Sequence, residues 1–180
     1  MVRSEQPDLK GAARASVPVV QRLKRQEQML NKLSRFPHSK LSNMGDIGGC
    51  RAVLRTRSEV DGVVRRIRKN WHIHGRVRDA RDDPTDSGYR ALHVIVIRDG
   101  RRIEIQLRDP REHEWAVAVE RTGARLGIGL KEGEGPDDLK EYFRLASQGM
   151  YLESIGEPPD ATFDKRFATI REQVAPHFRR

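Results

Sequence analysis

The residues best equipped for chemistry crowd into one stretch, "DSGYRALHVIVIRDGRRIEIQLRD", residues 86–109. Asp99-Gly100 between two alternating runs is a strong short-range signal of a β-hairpin with a two-residue turn. Such a turn fixes the register: Arg98 faces Arg101, Val96 faces Ile103, Ile95 faces Glu104 and His93 faces Gln106. Directly opposed residues share a face. Leu92, Val94, Val96, Ile103, Ile105 and Leu107 therefore make a core face. Tyr89, Ala91, His93, Ile95, Glu104, Gln106 and Arg108 make the other. An ordinary wet sheet face would carry Lys, Thr and Ser. A Tyr, a His, a Glu and a Gln converging on a rigid scaffold fits a ligand site as well as it fits a solvated face.

A second carboxylate lies upstream, in "NMGDIGGCRAVLR". Asp46 stands at the mouth of an apolar run, followed by Gly48 and Gly49, and glycine inside a strand marks close approach of a ligand or another backbone. Two readings of Asp46 are open here. It caps the turn that enters the strand, or it pairs with Glu104 on an adjacent strand to hold Mg²⁺. That hard cation prefers oxygen ligands and keeps waters and substrate phosphates in its shell. Positive groups stand where phosphates would need them: Arg22, Lys24 and Lys32 in the spacing R-x-K-x7-K, Arg51 and Arg55 four apart on the Asp46 strand, and Arg78 before an Asp-rich loop. Each alone fits a solvated surface charge. Together with two carboxylates and Tyr89, which can stack on a base, they suit a nucleotide.

These groups need a scaffold, and the composition supplies one. The chain has 180 residues, a net charge of +9 and 34% charged against 36% hydrophobic residues. That is one domain by size, long enough for a core, and its charge favours anionic partners such as nucleotides or RNA. The single cysteine, Cys50, forbids an internal disulfide and fits a small core residue in a reducing compartment. No apolar run approaches membrane-spanning length and no signal-peptide core is visible, so the expectation is a soluble cytoplasmic protein with no membrane partner.

Periodicity places the elements. Residues 1–16 read as loose, 17–34 as a helix, 35–45 as a loop and 47–55 as a buried strand. Ser58 is placed to cap a helix running to about Asn70, with Val60, Val63, Val64 and Ile67 at helical spacing. Residues 72–78 read as a short exposed strand, 79–88 as a loop, and Pro110 as the start of the helix after the hairpin. A Gly-rich loop (123–136) and two helical segments (137–154 and 160–177) close the chain. This pattern predicts an α+β fold, a mixed sheet of about five strands packed against helices in a single domain over 1–180.

Four segments together resemble the synthetase domain of the RelA/SpoT family, especially the small alarmone synthetases. "RLKRQEQMLNKL" resembles its R-x-K-x7-K phosphate-binding segment, and "DIGGCRAVLR" its D-I-x-G-x-R strand. "SGYRALH" resembles the guanosine-recognition segment, and "IEIQLRDPREHEWAVAVE" the E-I-Q-x-R-T segment with its following helix. The likeness covers roughly residues 20–131 and implies a nucleotidyltransferase-like fold. It implies pyrophosphoryl transfer: ATP gives its β,γ-diphosphate to the 3′-hydroxyl of GDP or GTP, forming (p)ppGpp, and AMP leaves. By the same resemblance Asp46 and Glu104 are catalytic and bind Mg²⁺. Arg22, Lys24, Lys32, Arg55 and Arg78 bind the donor and its phosphates. Tyr89 stacks on the acceptor base, while His93 and Gln106 position the acceptor.

The chain also departs from the pattern. "DDPTDSGY" is acidic where the family carries a Lys-containing K-P-x-x-G-Y, Asp109 stands in place of Thr, and only 21 residues precede Arg22. Two alternatives follow: a toxin-type relative that pyrophosphorylates tRNA 3′ ends or makes adenosine alarmones, and a non-catalytic nucleotide- or RNA-binding module. Similar small synthetases assemble through their terminal helices, so a homo-oligomer is a further expectation. His72 and His74 fit a solvent face, and "GIGLKEGEG" lacks the G-K-[ST] ending of a phosphate loop.

Overall fold

The structure, a computed structural model, describes residues 18–24, 26–35, 38, 40–41, 44–45 and 47–179, with the side chains of 27, 28, 31 and 32 outside that description. The chain divides into two compact units. The first comprises Met1–Arg78 and Leu92–Pro110; the second comprises Asp79–Ala91 and Arg111–Arg180.

The first unit holds the sheet and two helices. Its elements are β1 (Val19–Leu23), α1 (Gln26–Arg35), β2 (Gly48–Val53), α2 (Arg57–Asn70), β4 (Leu92–Arg98) and β5 (Arg101–Arg108). A two-residue strand β3 (Arg78–Asp79) completes the order β1-β2-β5-β4-β3. The sheet is mixed: β2 runs parallel to β5, while β1–β2 and β4–β5 are antiparallel. This is the five-stranded α+β architecture that the periodicity predicts.

The hairpin forms in the expected register, with Arg98 opposite Arg101, Ile95 opposite Glu104 and His93 opposite Gln106. Asp99 (φ 50°) and Gly100 (φ 70°) both take the left-handed conformation that a type I′ turn needs. The expected apolar face is the core: Leu92, Val94, Val96, Ile105 and Leu107 are buried with Cys50, Ala52 and Leu54 of the β2 segment. Val60, Val63, Val64 and Ile67 of α2 cover them.

Four local expectations are corrected. The single helix over 17–34 is instead β1 followed by α1. Val19 and Val20 are β-branched, and pairing with β2 from Val19↔Ala52 to Leu23↔Gly48 outweighs the local helical pattern. The strand read over 47–55 ends at Val53, because Thr56, not Ser58, caps α2 and accepts a hydrogen bond from the Glu59 amide at 3.1 Å. The strand expected over 72–78 reduces to an Ile73↔Val96 bridge and the two residues of β3. Finally, Tyr89 and Ala91 precede β4. The chain closes on itself there: Gly88 (φ 87°) donates to the Thr85 carbonyl at 2.7 Å, and the Thr85 amide donates to that of Tyr89 at 3.2 Å.

The second unit is helical: α3 (Pro110–Leu126, whose first residue belongs to the first unit), α4 (Asp137–Ile155) and α5 (Ala161–Phe178). Trp115, Ala116, Val119, Leu130, Leu139, Phe143 and Val174 form its core. Trp115 Nε1 donates to the Phe143 carbonyl at 2.7 Å, which satisfies a buried indole. Arg90 is buried in this unit, donating to Ser147 Oγ at 3.0 Å and to the Arg81 carbonyl, while Ser147 Oγ donates to the Gly88 carbonyl at 2.6 Å.

Candidate functional site

The polar residues of β4 and β5 are held by the same alternation that buries their apolar neighbours on the other face. Glu104 is buried, 6% exposed, and its carboxylate meets three nitrogen donors. His93 Nδ1 lies 2.9 Å from Oε1. Arg22 Nη1, from the edge strand β1, lies 3.4 Å from Oε2, and Arg78 Nη2 lies 3.5 Å from Oε1. A buried carboxylate needs such partners to remain charged. The two arginine contacts are longer than the ~2.8 Å of a tight charge-assisted hydrogen bond, so both guanidiniums are loosely held.

Glu104 owes its position to Gly49. The two residues are partners across the parallel β2–β5 ladder, and a Cβ on Gly49 would collide with the Glu104 carbonyl oxygen. Gly48 is different: a Cβ there meets nothing within 4 Å. Only the second glycine is required by close approach of a backbone.

The hydrogen-bond directions around His93 follow by elimination. Arg51 Nε lies 2.5 Å from Gln106 Oε1, and an arginine can only donate. Gln106 therefore presents its amide nitrogen to His93 Nε2, 3.4 Å away. A donor facing Nε2 requires Nε2 to accept, so the ring proton sits on Nδ1 and points at Glu104. Arg51, Gln106, His93 and Glu104 thus form one directed chain that ends on the carboxylate.

Six named residues of the first unit meet in this cluster: Arg22, Arg51, Arg78, His93, Glu104 and Gln106. Arg55 stands apart from it. Arg55 lies beyond the end of β2, where its guanidinium pairs with Glu59 at 2.9 Å on the surface. Tyr89 belongs to the second unit, its ring 6.3 Å from that of Trp115 and 5.5 Å from Lys131 Nζ. Lys24 donates its backbone amide to the Ile47 carbonyl at 2.9 Å. Asp46 and the Lys32 side chain lie outside the described residues. The contact between Arg51 and Gln106 was hidden in the sequence, because it depends on β2 running parallel beside β5, a pairing that no local pattern encodes.

Cys50 is 6% exposed in the core, and burial pushes its thiol up to about 11. It stays protonated near neutrality, which fits a packing role and not a nucleophile. Among the described residues there is no group of three or more His, Cys, Asp or Glu side chains able to hold a metal, and no helix long and apolar enough to cross a membrane.

The region found in RelA/SpoT proteins matches residues 21–122, more than half of the chain. The chain belongs to the RelA/SpoT family. An uncharacterised protein of Mycobacterium tuberculosis and one of Mycobacterium bovis are each 34% identical to it over 124 residues, 67% of this chain. The matched segment spans 45% of the length of those relatives. Among solved structures, a GTP pyrophosphokinase family protein from Streptococcus pneumoniae has a TM-score of 0.64 at 22% identity, covering 89% of this chain and 82% of that one. The small alarmone synthetase 1 of Bacillus subtilis, bound to its product pppGpp, has a TM-score of 0.63 at 21% identity, covering 88% and 80%. At such identities the likeness establishes a shared fold. This RelA/SpoT chain therefore carries its buried Glu104 on a sheet of the same architecture.

Proposed function

We propose that the chain is an ATP-dependent pyrophosphokinase that transfers the β,γ-diphosphate of ATP to the 3′-hydroxyl of GDP or GTP. The observation that carries this reading is the buried Glu104 carboxylate, oriented by a proton-defined histidine and flanked by two loosely held arginines, in a chain of this family. The acceptor 3′-oxygen attacks the β-phosphorus of ATP, the bond from that phosphorus to the α,β-bridging oxygen breaks, and AMP leaves carrying that oxygen. Glu104 accepts the hydroxyl proton as general base. His93 holds the carboxylate in place, and Gln106 with Arg51 holds His93. Arg22 and Arg78 exchange their long contacts with Glu104 for phosphate oxygens, which a guanidinium binds in a matching fork. Lys24 and Lys32 supply further positive charge to the donor.

Mg²⁺ is a hard cation that prefers oxygen ligands. It is commonly bound by one or two carboxylates together with substrate phosphates and water, so it needs no protein-only cage. Glu104 and Asp46 would hold it, and when bound it would neutralise charge on the triphosphate. Orientation and electrostatics then carry the catalysis.

The test is transfer of label from ATP labelled in its β or γ phosphate, with GDP, GTP, ADP, ATP and tRNA offered separately. Label on GDP or GTP, lost in Glu104→Gln, is the expected result. Label on tRNA or on adenine nucleotides would replace the acceptor. No transfer to any of them, with ATP still bound, would overturn the enzymatic reading.

A further inference from the structure

An apolar residue stands among the polar groups around Glu104. Ile95 is paired with Glu104 across the β4–β5 hairpin, and directly opposed residues share a face. On the other side of β5, Gly49 is paired with the same Glu104. The strand order β2-β5-β4 therefore sets Glu104 between Gly49 and Ile95. The segment that leads into β2 meets this place as well. A Cβ on Gly45 would lie 2.8 Å from Ile95 Cδ1, 3.4 Å from Cγ2 and 3.6 Å from Cγ1. Gly45 thus rests on the Ile95 side chain, on the polar face of the sheet. Gly48 is already in β2. The chain between Gly45 and Gly48 therefore crosses from the β4 side of Glu104 to its β2 side.

The crossing is tied down at both ends within the first unit. Met44 is buried, and its amide donates to the Leu41 carbonyl at 3.1 Å. At the other end the Ile47 carbonyl accepts from the Lys24 amide at 2.9 Å. Between these two bonds, the fit of Gly45 to Ile95 holds the segment on the β4 side of Glu104. Gly45 is not among the glycines with positive φ, so its missing side chain matters for space and not for backbone conformation. Ile95 is half-buried and offers no polar atom. It serves this face by shape alone, through close contact.

We propose that Ile95 is a positioning residue of the transfer site: by seating Gly45 it fixes the crossing segment, and Asp46 with it, beside Glu104. Asp46 follows Gly45 directly, one Cα step of about 3.8 Å along the chain, so a shift at Gly45 is passed on to it. Ile95 acts through the segment it supports and touches no substrate. The kinetic consequence rests on the transfer reaction proposed above; the structural consequence does not.

The experiment joins amide hydrogen exchange to label transfer, on the full chain and three variants: Ile95→Val, Gly45→Ala and Gly45→Ala/Ile95→Val. Ile95→Val removes Cδ1 alone and leaves Gly45 without its seat. Gly45→Ala drives a methyl group against that Cδ1. The double variant removes the collision and leaves the new methyl in ordinary contact, 3.4 and 3.6 Å from the two Cγ atoms. Each single variant should lower kcat about tenfold, since small misplacements at a reacting centre are costly. Each should also speed exchange of the Met44 and Lys24 amides about tenfold. The Leu54 amide, which donates to the Arg108 carbonyl at 2.8 Å, should exchange as before. The double variant should recover both kcat and exchange. A loss of kcat that the double variant does not recover would overturn the proposal. So would equally faster exchange at Leu54, because Ile95 would then be general packing. Unchanged exchange at Met44 and Lys24 in both single variants would overturn it whether or not any acceptor takes label. No transfer by the wild type, with exchange responding as described, would sustain the seat and strike the transfer reaction instead.

Discussion

At the residue scale, the first unit holds one buried carboxylate against a histidine and two arginines. Glu104 is fixed by its strand, by His93 at 2.9 Å and by the directed chain behind it. Glu104→Gln preserves shape but removes the proton acceptor, so transfer should fall by about 10²–10⁴-fold, read as kcat in the labelled-ATP assay. Gln106→Glu puts an acceptor where His93 Nε2 needs a donor. It should lower kcat about tenfold, the order of one misplaced hydrogen bond, while KM stays close to wild type. An equal loss in both parameters would assign Gln106 to substrate binding instead of positioning. Cys50 gives a pH prediction. Its thiol is near 9.0 in an open chain and near 11 when buried. The folded state therefore holds the proton more tightly, and stability is intact below pH 9 and falls as pH rises towards 11. Two units correspond to at most about 3 kcal/mol. Urea unfolding at several alkaline pH values should show this fall in the wild type and a shallower one in Cys50→Ala.

At the element scale, the hairpin and the β2–β5 ladder have different origins. Asp99-Gly100 specifies the hairpin locally, because its turn needs two residues in the left-handed region. The ladder depends on Gly49, where only a missing side chain lets β2 approach the Glu104 backbone. Gly49→Ala should force the strands apart, lower stability by about 1–3 kcal/mol and reduce transfer as well, whereas Gly48→Ala should leave activity unchanged. Thermal unfolding and the transfer assay on both variants distinguish a site effect from a general one. Arg55 shows how an element boundary changes a residue's surroundings. Four residues after Arg51 it would share that residue's strand face, but the strand stops at Val53 and Arg55 turns to Glu59 instead.

At the scale of the whole molecule, two units each carry their own core. Phe143 is 4% exposed and packs against both Trp115 and Tyr142. Phe143→Ala should cost about 3–5 kcal/mol, visible as a lower midpoint in thermal denaturation. The chain by itself determined whatever neighbouring residues can settle. Alternation and a two-residue turn set the hairpin register, the 3.6-residue spacing of Val60, Val63, Val64 and Ile67 set α2, and Pro110 marked the start of α3. These made Glu104, His93 and Gln106 legible as neighbours on one face. Only the tertiary structure decided what depends on distant segments meeting. Residues around Arg22 form a strand because β2 offers an edge to pair with, and Arg51 reaches Gln106 because β2 lies parallel to β5. The Arg98 side chain reaches Trp71 because residues 72–74 pair with β4. Periodicity reports which face of an element is apolar; it carries no information about which other element that face or edge will meet.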